Sequence, residues 1–156
     1  MATVTADICI IGAGSGGLSV AAGAAQMGAR VVLIEGHKMG GDCLNYGCVP
    51  SKALLAAARA ARARGTPGDY AAAMARVAEV IATIAPVDSQ ERFEGFGVKV
   101  IRDWARFTGP HSVGAGGDTI TARRFVIATG SSPLVPPIPG LDGVPYLTNE
   151  TIFDLR

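Results

Sequence analysis

Residues 3–35 carry the pattern that most restricts how this chain can fold. An apolar run that ends at residue 11 is followed at once by the glycine-rich segment 12–17 and by small and apolar residues at helical spacing. A second strand-like segment follows at 30–35, in which residues 31–34 are all apolar. Continuous apolar runs are typical of strands buried on both faces of a parallel sheet. The pattern therefore predicts a strand–helix–strand (βαβ) unit.

The glycines of this unit have the spacing of a phosphate-binding turn. Gly12 permits a tight turn off the strand, Gly14 lets the backbone approach a pyrophosphate, and Gly17 allows the helix to pack closely on the sheet. The phosphates would lie at the helix N-terminus, where N–H groups and the helix dipole favour an anion. Glu35 ends the second strand, where a carboxylate can accept hydrogen bonds from adenosine ribose hydroxyls.

A second feature is residues 40–52, in which Cys43 and Cys48 are separated by four residues. A helix is predicted from Pro50 to Arg64, so Cys48 lies at or just before a helix N-terminus, a position that stabilises a thiolate. Lys52 adds a positive charge nearby. From the residues alone, the two cysteines could form a redox-active disulfide, a metal site or a structural cross-link.

The remaining sequence predicts an α/β fold class. A helix is expected at 70–85, and short alternating runs follow it, which are typical of a small antiparallel ribbon. A further buried strand is predicted at 123–130, ahead of a proline-rich tail. The expected architecture is a Rossmann-like domain, a parallel sheet with helices and a small antiparallel β-ribbon. The runs assigned to the ribbon are 98–101, 105–107, 112–113 and 119–121.

The charge balance gives no indication of a polyanionic partner. Lys and Arg number 14 and Asp and Glu number 13, so neither nucleic acid nor an anionic membrane surface is expected to bind. Residues 8–29 are uncharged but carry six glycines and lack sustained aliphatic character, so a membrane span is not expected there. The N-terminus has no signal-peptide pattern, and we expect a cytoplasmic protein.

Together these features resemble the N-terminal, FAD-binding part of the class I pyridine nucleotide-disulfide oxidoreductases. That family includes dihydrolipoamide dehydrogenase, glutathione reductase and mercuric reductase. The resemblance rests on residues 12–17, Glu35, the cysteine segment 40–52, and 127–131 (Ile-Ala-Thr-Gly-Ser) with 138–140 (Ile-Pro-Gly). It implies that residues 1–150 are the N-terminal part of a discontinuous FAD-binding domain. Residues 151–156 would begin the linker to an NAD(P)-binding domain that this sequence lacks.

The resemblance also implies a role for each site residue. Cys43 would be the interchange thiol that reacts with a disulfide substrate, Cys48 the thiol beside the flavin, and Lys52 a lysine near the flavin's reactive edge. In a longer parent, NAD(P)H would be the electron source, and a C-terminal domain would make a homodimer. The other residues expected at FAD are Gly12, Gly14, Ser15, Gly16, Gly17, Glu35, Gly41, Asp42, Ala105, Thr129 and Gly130.

Two departures from the family pattern qualify these expectations. Asp42 stands where the family usually has Thr. A carboxylate facing a pyrophosphate would be repelled, so we predict that Asp42 turns toward backbone N–H groups of the cysteine segment. Neither His37 nor His111 matches the family's catalytic histidine, so the chain alone is not expected to turn over.

Other functions fit parts of the sequence. The main alternative is a non-catalytic FAD- or nucleotide-binding module with structural cysteines. A metal site formed by Cys43, Cys48 and His37 would have too few ligands at an unusual spacing, and no metal is expected. A plain NAD-dependent dehydrogenase leaves the cysteine segment unexplained. The substrate, whether lipoamide, glutathione, mercuric ion or another, is not specified by the sequence.

Overall fold

The computed structural model describes residues 2–155 as a mixed α/β structure. The strands are β1 (Thr3–Ile11), β2 (Val31–Ile34), β3 (Lys99–Ile101), β4 (Arg106–Gly109), β5 (Ser112–Ala115) and β6 (Asp118–Ile127). The α-helices are α1 (Ser15–Gln26), α2 (Gly41–Asn45), α3 (Cys48–Arg64), α4 (Tyr70–Ile84) and α5 (Gln90–Gly95). Short 3-10 turns lie at Ala85–Asp88, Leu141–Gly143 and Ile152–Asp154.

The chain divides into two compact units. Unit 1 contains the residues up to Gly41 together with 84–130, and unit 2 contains 42–83 and the residues from Ser131 onward. The whole sheet lies in unit 1, where its strand order is β3-β2-β1-β6-β5-β4. Unit 2 holds α3 and most of α4.

The sheet confirms the predicted α/β class, with a parallel part and an antiparallel ribbon. β1 pairs in parallel with β2 on one side and with β6 on the other, and β2 pairs in parallel with β3. β5 pairs antiparallel with β4 on one side and with β6 on the other. The βαβ unit predicted from residues 3–35 is therefore β1–α1–β2.

The core explains why the apolar runs of β1 and β2 are continuous. Successive strand residues point to opposite faces of a sheet. Ile10 and Leu33 belong to one buried cluster, in which they pack with Leu18 and Ala21 of α1. Alternate residues along β1 and β2, Cys9, Val32 and Ile34, belong to a second cluster with the ribbon residues Val113 and Ile120. Both faces of the sheet are covered, so both sets of side chains are apolar.

Two strand predictions were wrong. The run 98–101 was assigned to the ribbon, but β3 pairs with β2 and extends the parallel part of the sheet. The run 119–121 pairs with β5 in the ribbon, as predicted, but the strand predicted at 123–130 is not separate from it. Both belong to one strand, β6, which ends at Ile127. Only residues 118–121 of β6 have β5 as a second neighbour, so the rest of β6 pairs on one side alone. Ile127 is 69% exposed rather than buried.

The helices differ from prediction at three places. α3 begins at Cys48, two residues earlier than expected, and ends at Arg64. Gly65 follows as its cap, with a left-handed φ of 63°. α2 and α5 were not predicted. α5 is short, and the residue that marks its start is Ser89. Its Oγ caps the helix by accepting a hydrogen bond of 3.2 Å from the Arg92 backbone N–H.

One stretch of the described chain, Tyr70–Gly95, is long and apolar enough to cross a membrane by length and composition. An 18-residue window within it has a mean hydropathy of 1.4, and 11% of that window is buried. It is not one α-helix, since α4 ends at Ile84 and α5 restarts after Ser89. The α4 segment has 15 residues, fewer than the roughly 20 that a helical span needs.

An ion pair joins β1 to the residue before β2. Arg30 donates through Nη2 to Asp7 Oδ1 at 3.1 Å and through Nε to Oδ2 at 3.1 Å, and its backbone N–H donates to Oδ2 at 3.0 Å. The side-chain and backbone hydrogen bonds from Arg30 lower the pKa of Asp7 to about 2. The pair therefore helps to fix where β2 begins beside β1.

Replacing this carboxylate gives a pH-dependent test. Because the folded-state pKa of Asp7 is depressed, its contribution to stability is present above its usual pKa of about 4 and is lost as the pH falls toward 2. Asp7→Asn should lower the free energy of unfolding in urea at pH 7, and the difference from wild type should shrink between about pH 4 and pH 2. A difference that stays constant with pH would contradict this.

Candidate functional site

The residues predicted to hold a dinucleotide follow the carboxyl ends of parallel strands in unit 1. Because β1, β2, β3 and β6 run in parallel, the segments after them lie at the same edge of the sheet. Ligands of open α/β sheets bind at this edge. The segments are 12–17 after β1, 35–38 after β2, 102–105 after β3 and 128–130 after β6.

The turn after β1 has room only for glycine at two positions. Gly12 has φ of +104°, and a Cβ built there would lie 2.2 Å from the carbonyl oxygen of Ala128. A Cβ at Gly17 would lie 1.8 Å from the carbonyl oxygen of Gly12. The start of α1 is thus packed directly on the backbone of the turn. The turn in its place is packed on the backbone of the segment after β6.

The N-terminus of α1 is open beside this turn. The helix begins at Ser15, and Gly14 precedes it without a side chain to cap it. Ser15 and Gly16 are exposed, and a Cβ at Gly16 would meet nothing within 4 Å. The first N–H groups of a helix have no intrahelical acceptor, so this end can receive an anion.

Glu35 links the end of β2 to the glycine turn. Its Oε2 accepts a hydrogen bond of 2.6 Å from the Ala13 backbone N–H, and its Oε1 accepts one of 2.6 Å from the His37 backbone N–H. The residue is half-buried. A carboxylate has about four acceptor positions, so two such bonds leave capacity for ribose hydroxyl groups. The predicted ribose ligand therefore also orders the turn, a role that the sequence did not reveal.

The segment after β3 contains a residue that the sequence analysis missed. Trp104 precedes the predicted contact Ala105, is 75% exposed, and lies against Gly36. Asp103 fixes the segment, since its carboxylate accepts from the Trp104 N–H at 2.8 Å and from the Gly116 N–H at 2.6 Å. These backbone N–H groups hold the pKa of Asp103 below its usual range. The signal was present in the sequence, because Trp104 is the single tryptophan of the chain.

The other predicted contacts at this edge lie where their strands end. Ala105 is half-buried and packs against the ribbon-side core cluster. Thr129 and Gly130 are exposed beyond β6, and Gly130 has φ of +70°, which favours glycine. Their contacts with a cofactor stay predictions.

The glycine turn is joined to the start of the cysteine segment by backbone contacts. The Gly40 N–H donates to the Ala13 carbonyl at 2.9 Å, and Gly40 forms a parallel bridge with Gly14. Gly41 has φ of +55°, and a Cβ there would lie 2.6 Å from the Gly14 Cα. The phosphate-binding turn and the first residue of α2 are therefore in direct contact within unit 1.

The two cysteines lie on consecutive helices that meet at Gly47. Cys43 is on α2 and half-buried, and Cys48 is the first residue of α3 and exposed. A Cβ at Gly47 would lie 3.0 Å from the Asp42 carbonyl oxygen and 3.6 Å from the Cys43 Cα. The start of α3 therefore lies so close to α2 that a side chain at position 47 would be in a tight contact with the Asp42 carbonyl.

Asp42 and Lys52 lie in the two helices that carry the cysteines, Asp42 in α2 and Lys52 in α3. Lys52 is four residues after Cys48 in α3, so the two residues share a helix face. Asp42 is exposed in the first turn of α2. The roles of both residues at FAD, and the orientation predicted for Asp42, stay predictions.

Cys9 differs from the other two cysteines. It is fully buried in β1, and burial raises the pKa of its thiol to about 11. Its side chain belongs to the ribbon-side core cluster. Residues 2–155 contain no group of three His, Cys, Asp or Glu side chains that could hold a metal ion.

Fold and site together define a class, an α/β domain with the glycine turn of a dinucleotide-binding fold and a pair of cysteines in the segment that begins against this turn at Gly40 and Gly41. Residues 6–155 match the family model described as pyridine nucleotide-disulphide oxidoreductase. The chain belongs to this family, as its resemblance to the class I enzymes predicted.

Individual relatives are similar over nearly the whole chain. Mercuric reductase of Staphylococcus aureus is 36% identical over 96% of this chain and 29% of its own length. Glutathione reductase of Burkholderia cepacia is 35% identical over 96% of the chain and 35% of its own length. The structure of the HOCl-induced flavoprotein disulfide reductase RclA from Escherichia coli superposes with a TM-score of 0.82 at 31% identity, covering 96% of this chain and 34% of that one. The chain thus spans about a third of these proteins.

The close packing at Gly17 can be tested against another glycine of the same helix. Gly17→Ala places a methyl group into the Gly12 carbonyl and should destabilise the protein by at least about 1–3 kcal/mol. Gly23→Ala should instead stabilise it by about 0.5–1 kcal/mol, since Gly23 is exposed in α1 and its Cβ would meet nothing. Urea unfolding of both variants measures this. Equal effects would show that the turn is not tightly packed.

Proposed function

We propose that this chain binds FAD and carries the redox-active cysteine pair of a flavoprotein disulfide reductase. In the complete protein, NAD(P)H would supply the electrons, and a disulfide-type compound would receive them. The observation that carries the proposal is the continuity of the phosphate-binding turn with the cysteine segment, through the contacts of Gly14 with Gly40 and Gly41. Membership in a family of pyridine nucleotide-disulphide oxidoreductases supports it.

The carboxyl edge of the sheet fits the adenosine diphosphate part of FAD. The open N-terminus of α1 and the exposed Ser15 and Gly16 suit the pyrophosphate. Glu35 suits the adenosine ribose, because its oxygens retain acceptor capacity. When bound, FAD supplies a two-electron couple that can reduce a disulfide.

The cysteines would supply thiol–disulfide exchange. A thiolate of the Cys43–Cys48 dithiol attacks one sulfur of a disulfide substrate, forms a mixed disulfide and releases the first thiol of the substrate. The second cysteine then attacks the mixed disulfide, which releases the second thiol and leaves the Cys43–Cys48 disulfide. Two electrons and two protons pass from the dithiol to the substrate. The resemblance assigns the substrate-facing position to Cys43 and the flavin-facing position to Cys48.

The pairing of the cysteines can be tested by counting thiols. The chain has three cysteines, and Cys9 is fully buried. After mild oxidation, unfolded wild-type protein should present one thiol to Ellman's reagent instead of three. Oxidised Cys43→Ser and Cys48→Ser proteins should not form the intramolecular disulfide and should retain two thiols when oxidant is limiting.

The reduction potential then distinguishes a redox-active disulfide from a structural one. A redox-active pair should equilibrate with glutathione buffers, whereas a structural cross-link should have a potential below about −300 mV. A value below that limit would support the alternative, a non-catalytic nucleotide-binding module. Three thiols after oxidation would contradict both.

The residue at position 47 should affect the reduction potential of the Cys43–Cys48 disulfide. Gly47→Ala places a Cβ 3.0 Å from the Asp42 carbonyl oxygen, which a shift of a few tenths of an ångström between α2 and α3 would relieve. Such a shift strains a disulfide between the two helices, and a strained disulfide is easier to reduce. We expect the potential to become less negative by on the order of 30 mV. Gly68→Ala is the matched control in unit 2, since its Cβ would make only an ordinary contact of 3.9 Å with Ala61. Equal potentials in the two variants would show that Gly47 does not set the cysteine geometry.

A further inference from the structure

We infer that Trp104 forms an aromatic platform for the adenine ring of the bound dinucleotide. This inference deepens the proposed function and rests on it. Four observations support it: the position of Trp104 in the sheet, the orientation of its indole, its exposure, and the bonds that hold its loop.

The position follows from the strand order. A dinucleotide whose pyrophosphate lies at α1 and whose ribose lies at Glu35 must place its adenine beyond β2. The neighbour of β2 on that side is β3, which runs in the same direction. The segment that leaves the carboxyl end of β3 carries Trp104, so its side chain lies next to the ribose position.

The orientation of the indole follows from its contact with Gly36. A Cβ built on Gly36 would lie 2.6 Å from Cδ2 of Trp104 and 2.9 Å from both Cε2 and Cε3. Cδ2 is a ring-fusion atom bonded to three ring atoms, so nothing can approach it so closely in the plane of the ring. Gly36 therefore lies under one face of the indole. Because the residue is 75% exposed, the opposite face is accessible.

The loop that carries the indole is held in place on both sides. Asp103 accepts hydrogen bonds from the Trp104 and Gly116 backbone N–H groups. Arg102 Nη2 donates to the His37 carbonyl at 2.5 Å, which ties this loop to the segment that follows Glu35. An exposed tryptophan on a fixed loop provides a large contact area with little ordering needed on binding.

An apolar platform of this kind recognises the base and not the phosphates. When an aromatic side chain that stacks on a base is replaced with alanine, the binding affinity falls by about 5- to 150-fold. Trp104→Ala should weaken binding of ADP and of FAD by a factor in this range. Trp104→Phe, which keeps an aromatic face, should retain most of the affinity.

A second variant separates stacking from loop packing. Trp104→Leu keeps an apolar side chain against Gly36 but has no aromatic face, and it should lose ADP affinity while keeping the wild-type melting temperature. Phe96→Leu is the matched control. Phe96 is an exposed aromatic residue that precedes β3, at the opposite end of the strand from Trp104, and its substitution should leave ADP binding unchanged.

Intrinsic fluorescence gives a direct readout that does not depend on enzyme activity. Trp104 is the only tryptophan of the chain, so quenching of its emission on saturation with ADP reports the contact itself. Calorimetric titration of ADP and FAD into the wild type and the four variants gives the affinities. Unchanged emission, or ADP affinity in Trp104→Leu equal to that of wild type, overturns the platform while the proposed function stands. Failure of the wild type to bind either ligand overturns both.

Discussion

The structure depends on the close approach of backbone to backbone around the phosphate-binding turn. Gly17 lies against the Gly12 carbonyl, Gly12 against the Ala128 carbonyl, and Gly41 against Gly14, at distances that admit no Cβ atom. These contacts bring together the end of β1, the start of α1, the segment after β6 and the start of α2. Because the approach is made by main-chain atoms, side-chain rearrangement cannot relieve a substitution there.

This arrangement gives the cysteine segment a defined starting point. Gly40 and Gly41 leave the edge of the sheet with positive φ values and lead into α2. The chain then turns at Gly47, where another close backbone approach sets Cys48 at the start of α3. A Cβ at Gly41 would lie 2.6 Å from the Gly14 Cα, and one at Gly47 would make a tight contact of 3.0 Å with the Asp42 carbonyl oxygen. Both glycines therefore affect where the cysteines lie, and disulfide geometry tolerates little displacement.

Sequence patterns predicted the features that arise from local chemistry. The glycine spacing and the two apolar runs identified β1, α1 and β2, because burial on both faces leaves an unambiguous signal. The pairing of β3 and the length of β6 could not be predicted, since strand partners are chosen by tertiary contacts. The hydrogen bond from the Ala13 N–H to Glu35 was missed for the same reason, because it joins segments that are distant in sequence. Trp104 could have been noticed as the single tryptophan, but its contact with Gly36 depends on the fold.

The central claim, that the carboxyl edge of the sheet binds FAD, is tested most directly by hydrogen–deuterium exchange with and without the cofactor. Backbone amides in four segments should become protected when FAD is added: 12–17, 35–37, 102–105 and 128–130. The amides of β4 and β5 should exchange at unchanged rates. Absence of protection in the segment 12–17, or protection found only outside these four segments, would contradict the account.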